Sequence, residues 1–82
     1  MTIYTIKMTE KEADEVARGD KMFVFRDSAL GIKAGDELHF RPMFKAKPRP
    51  HKIESMKFEV TYASEDAPIE RGFSAIGFRR TK

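Results

Sequence analysis

One helix signal, punctuated at both ends, decides most of what this 82-residue chain can become. Thr9 supplies an N-cap hydroxyl, Glu12 stands three residues later where it can reach back, and Glu10 favours the positive end of the helix dipole. Ala13, Val16 and Ala17 recur at helical spacing and give a narrow apolar face. Gly19, directly after Arg18, offers the left-handed conformation that ends a helix. The rest of the chain reads as strands and turns, in the order strand, helix, four strands. Five strands with one short helix lack the crossover helices of a doubly wound parallel sheet. The pattern predicts an α+β fold, a mixed or antiparallel sheet of about five strands curled into a small, partly open β-barrel. The helix follows the first strand and plugs one end.

The strands carry this expectation. Ile3 to Met8 alternates, with Ile3 and Thr5 on one side and Tyr4, Ile6 and Met8 on the other. From Lys21 to Arg26 the run Phe23-Val24-Phe25 predicts a strand buried on both faces. Asp27 to Gly31 is turn chemistry, and Lys33-Ala34-Gly35-Asp36 is a second turn in which Gly35 and Asp36 serve backbone geometry. Glu37 to Phe44 follows, with Leu38 and Phe40 inward, His39 and Arg41 outward, and Pro42 placing its end at an edge or bulge. Ile53 to Ala63 predicts the longest strand, with Phe58, Val60 and Tyr62 alternating on one face. Ser64 to Gly72 reads as an acidic loop, and Phe73 to Arg79 closes the chain as a strand. Phe23, Phe25, Phe40, Phe58 and Phe73 are expected in the core, with Met22, Met43 and Met56 filling gaps.

Composition removes several classes of function. There is no cysteine, hence no disulfide framework, thiolate metal site or thiol nucleophile. His39 and His51 have no metal-binding spacing, and no Walker or dinucleotide fingerprint is present, so neither a metal nor a cofactor is expected. No run approaches the ~20 apolar residues of a membrane span. Nor does Met1 to Met8 resemble a secretory leader, and the expected location is cytoplasmic. The net charge of +3 is mild but uneven. Thr9 to Asp20 carries five acids against two bases, whereas Arg41 to Lys52 carries five bases (Arg41, Lys45, Lys47, Arg49, Lys52) and no acid. That separation predicts one positive face.

Two clusters of cations are the functional candidates. Lys21 and Arg26 bracket a hydrophobic strand and would point to opposite faces of it, unless Lys21 lies in the turn before the strand or a bulge intervenes. If they converge, an ammonium and a guanidinium cradle a phosphate or a polarised carbonyl. Otherwise they are a surface lysine and an arginine paired with Asp27 or Asp36. In the second cluster, Lys45, Lys47 and Arg49 are interleaved with proline and flanked by Phe44 and His51. They could follow a sugar-phosphate backbone while a ring stacks on a base, or simply form a solvated loop.

The run from Val16 to Arg26 through Gly19-Asp20-Lys21, followed by Gly35-Asp36-Glu37-Leu38, resembles the ASCH superfamily of PUA-like β-barrels. The closing run Arg71 to Phe78 is similar to the last strand of short, phage-associated ASCH-like domains. The resemblance covers about half the chain and implies a cleft beside the helix, lined by Lys21 and Arg26, that takes RNA or a modified nucleoside. Some small bacterial members are amidohydrolases that deacetylate acetylated cytidine with a lysine, a threonine and a glutamate. Lys21 matches that lysine, but Val24 occupies the threonine position, and no glutamate matches among Glu65, Asp66 and Glu70. The function expected is therefore an RNA- or nucleotide-binding module using Lys21, Arg26, Arg41, Phe44, Lys45, Lys47 and Arg49. The alternatives are a nucleoside amidohydrolase, with Lys21 as candidate catalytic residue, and a small interaction protein docking an acidic protein on the 41–52 face.

Overall fold

In the computed structural model, which describes residues 1–65 and 71–82, the chain forms β1 (Ile3–Thr9), α1 (Glu10–Ala17), β2 (Phe23–Asp27), β3 (Glu37–Met43), β4 (Phe58–Ser64) and β5 (Phe73–Arg80). Single 3-10 turns lie at Ser28–Leu30 and Lys52–Ser55. The five strands make one mixed sheet in the order β1-β3-β4-β5-β2, curled into a half-barrel. β1 and β3 run parallel, and the other pairs are antiparallel. This is the α+β architecture that the strand–helix–strand order predicts.

Both ends of α1 form as their residues require. The Thr9 hydroxyl accepts the Glu12 N–H at 3.1 Å. At the other end Gly19, at φ +84°, lets its own N–H reach the Val16 carbonyl while the Asp20 N–H reaches that of Glu15. Those two bonds satisfy carbonyls that the helix end would otherwise leave open. Ala13 and Val16 are the buried stripe, packed on the inner face of the sheet.

Inside, Phe40, Phe58 and Phe78 form a triangle with ring centroids 5.1–5.3 Å apart. Ile6, Met8, Val24, Leu38, Val60 and Ile76 surround them, each contributed by the inward positions of a strand. Gly35, at φ +94°, turns the chain into β3, and Asp36 behind it is 1% exposed. Its carboxylate accepts the N–H of Thr2 (3.1 Å) and of Lys33 (3.0 Å), while its backbone carbonyl accepts from Val60 at 2.8 Å. One turn residue thus ties the start of β1, the preceding loop and β4.

The structure corrects the sequence reading at several points. β2 is buried on one face only: Val24 points in, whereas Phe23 and Phe25 are half exposed. β2 is an edge strand of an open sheet, so no second layer covers its outer side. Phe73 lies outside the core as well, and so does Met43. Ile53 does not begin a strand. It is fully buried within the turn Lys52–Ser55, and β4 starts only at Phe58. A bulge between Val60 and Tyr62 adds one residue to β4, so Tyr62 faces solvent and not the core. Pro42 remains inside β3, which is tolerated because β4 pairs with β3 only at Glu37 and Leu38, leaving that side of the later residues open.

Candidate nucleic-acid interface

Lys21 does lie before β2 and not within it, and this releases it from the alternation that would separate it from Arg26. The two cations meet on one carboxylate. Lys21 Nζ is 2.6 Å from Glu12 Oε2, and Arg26 Nη2 is 3.3 Å from Glu12 Oε1, with all three side chains half-buried. Burial alone would raise the Glu12 pKa. The hydrogen bonds and charges of Lys21 and Arg26 outweigh it and hold the carboxyl below its ordinary value. Arg26 also donates to the Phe25 carbonyl (2.7 Å) and to the Lys7 carbonyl (3.0 Å). β1 and β2 are the two edges of the half-barrel, so this guanidinium bridges the seam between them and ties both to α1. The arginine is paired, as one sequence alternative held, but with Glu12 and not with Asp27 or Asp36.

Glu12 is the residue that sequence reasoning missed. Its signal, a glutamate three after Thr9, was the capping box, yet its carboxylate turns to the two cations. An anion arriving at Lys21 and Arg26 must share them with, or displace, that carboxylate.

The acid-free segment is arranged differently. Arg49 pairs with Glu10 at the start of α1, and its guanidinium carbon lies 5.4 Å from the centre of the Phe44 ring. His51 Nε2 lies 2.7 Å from Asp14 Oδ1, while its Nδ1 accepts the Ile53 N–H at 3.1 Å, which makes Nε2 the donor to Asp14. Glu10 and Asp14 are four apart on α1 and therefore share a face. The acidic helix and the basic loop, far apart in charge along the sequence, are in part folded against each other. Buried Ile53 then anchors the loop in the core.

Arg41, Lys45, Lys47 and Lys52 have no carboxylate partner among the described residues. Two hollows of about 740 Å³ each open on either side of Phe44. The first is bounded by Thr9, Glu10 and Lys11 of the helix start and by Lys45 and Lys47, the second by Arg41, Pro48 and Pro50. Phe44 is half-buried and Met43 exposed between them.

The other sequence candidates divide plainly. His39 is half-buried and contacts Glu37 at 2.5 Å, away from the loop. Asp27 caps the turn after β2 by accepting the Ala29 N–H at 2.8 Å. Val24, which the sequence reading set at the threonine position of the amidohydrolases, is buried and faces the core. Among the carboxylates weighed for a catalytic role, Asp66 and Glu70 lie outside the described residues and Glu65 is exposed. Among the described residues no three potential ligands cluster to hold a metal ion, and no helix is long and apolar enough to cross a membrane. No protein-family model matches the chain, and no curated protein matches it.

Proposed function

We propose that the protein is a non-enzymatic module that binds RNA or a nucleotide through the segment Arg41–Lys52, with Lys21 and Arg26 as a second, carboxylate-gated cationic site. The observation that carries this reading is the setting of Phe44: an aromatic ring between two hollows whose borders carry Arg41, Lys45 and Lys47, none of them paired with a described carboxylate. Such a ring stacks on a base while the cations meet the phosphates. The amidohydrolase alternative is less well supported. Lys21 Nζ is held by Glu12 at 2.6 Å, and buried Val24 supplies no hydroxyl.

The test is binding of a labelled single-stranded RNA of about ten nucleotides, followed by anisotropy at low and high salt. With three or four phosphates neutralised, log K should fall against log salt with a slope of about −2 to −3, or roughly 20- to 50-fold between about 50 and about 200 mM. The double variant Lys45→Ala/Lys47→Ala should weaken binding and reduce the slope by about 1.4. Absence of binding at low salt, or a slope untouched by the double variant, refutes the proposal. Incubation with acetylated cytidine, followed for deacetylation, discriminates the enzymatic alternative.

A further inference from the structure

The outer face of β2, β5 and β4 carries four large rings that the core does not use. Phe23 is 48% exposed, Phe25 50%, Tyr62 57% and Phe73 41%. Strand register sets them side by side. Phe23 and Tyr62 both lie opposite Gly77, Phe25 lies opposite Ala75, and Asp27 lies opposite Phe73. Gly77 and Ala75 thus make a low floor between taller rings. Phe23 and Phe25 contact edge to face, with centroids 5.8 Å apart. Tyr62 reaches this face because the bulge in β4 turns it there.

We propose that this face is a stacking platform for the bases of single-stranded RNA, an inference that rests on the RNA-binding reading above and adds a second contact surface to it. The charges around the rings choose this occupant. Lys21 Nζ lies 5.5 Å from the centre of the Phe23 ring, and exposed Arg71 lies two residues before Phe73. The acids nearby are already engaged: Asp27 by the Ala29 N–H and Glu59 by Arg79 at 2.7 Å. Four rings over a low floor, with Lys21 against one end and Asp27 as the acid of β2 on this side, complement a chain of flat bases joined by phosphates. Positions two apart on a strand are separated by about 6.6 Å, a step that an extended, unstacked nucleotide chain spans. Aromatic side chains on a sheet surface hold successive bases in this manner.

The protein has no tryptophan, so its intrinsic emission comes from Tyr4 and Tyr62. Titration with a single-stranded RNA of about ten nucleotides, within the usual range of single-strand site sizes, should therefore quench tyrosine emission. Tyr62→Phe should keep the affinity and lose most of the quench. Phe25→Ala and Tyr62→Ala should each weaken binding at least about fivefold and leave the salt slope unchanged, because stacking releases no counterions. Both positions are exposed, and a melting curve verifies that each variant folds. If the platform variants bind like wild type while Lys45→Ala/Lys47→Ala binds more weakly, the platform is refuted and the basic-loop proposal stands. Absence of RNA binding by the wild-type protein refutes both. Sedimentation provides the remaining arm: a dimer abolished by Phe25→Ala with RNA affinity intact overturns the proposal in favour of a second copy of this chain as occupant.

Discussion

Asp36→Asn is a near-isosteric change at the most enclosed charged group described, and its effect can be worked out from the structure. The aspartate receives two backbone N–H groups, one on each oxygen, from Thr2 and Lys33. Asparagine keeps one acceptor and presents an amide donor to the other N–H. One charge-assisted bond is lost outright, worth about 1.5–3 kcal/mol, and the surviving bond becomes neutral. A loss of about 2–3 kcal/mol corresponds to a melting point lower by roughly 8–24 °C for a domain of this size. The pH dependence supplies an independent check. The Lys33 N–H bond, reinforced by that of Thr2, overcomes the opposing effect of burial and depresses the folded-state pKa. A depressed carboxyl pKa stabilises the fold fully above the unfolded value of about 3.9, and that contribution disappears as pH falls through the lower folded value. The gap between wild type and variant should therefore be widest near neutrality and shrink below about pH 4. Thermal melts by circular dichroism at several pH values measure both. A variant melting within about 2 °C of wild type at neutral pH, well under one kcal/mol for this size, or a gap that stays constant into acid, refutes the clamp.

Two further comparisons separate structure from recognition. Arg26 joins β1, β2 and α1 with three hydrogen bonds, so Arg26→Ala should lower stability by about 2 kcal/mol or more in urea denaturation. Lys21→Ala removes one partly exposed ion pair and should cost about 1 kcal/mol or less. Equal losses would contradict the role of Arg26 as the seam bridge. Ile53→Ala empties a fully buried position and should destabilise by about 2–5 kcal/mol, a loss no solvated loop residue would produce. Denaturant midpoints with an unchanged slope verify it.

The helix was legible in the sequence to within a residue at each end, because capping is local: Thr9, Glu10 and Gly19 act on backbone groups within one turn of themselves. The residues that share a side of β1, and the inward side of β3, were legible for a similar reason, since a period of two keeps Ile6 with Met8 and Leu38 with Phe40 whatever the partner strand. The chain's own pattern also showed that only one helix exists to cover the sheet, and thereby its α+β class. Its charge sequence marked Lys21, Arg26 and the Arg41–Lys52 segment as the cations worth placing.

What those cations face was decided by tertiary structure. Glu12 could be read as a local cap, but only the approach of β2 to α1 brings Lys21 and Arg26 onto its carboxylate. His51 read as a ring flanking the basic loop, and only the fold carried Asp14 to it across 37 positions of sequence. Phe23, Phe25 and Phe73 carry the same composition signal as Phe40 and Phe58, and a hydrophobic strand does not state how many of its faces will be covered. The bulge that turns Tyr62 outward is a mismatch between two strands, so neither strand encodes it alone. Local periodicity fixes which residues share a side; which side meets solvent depends on the layers that long-range pairing supplies, and here it leaves one ringed face of the half-barrel open.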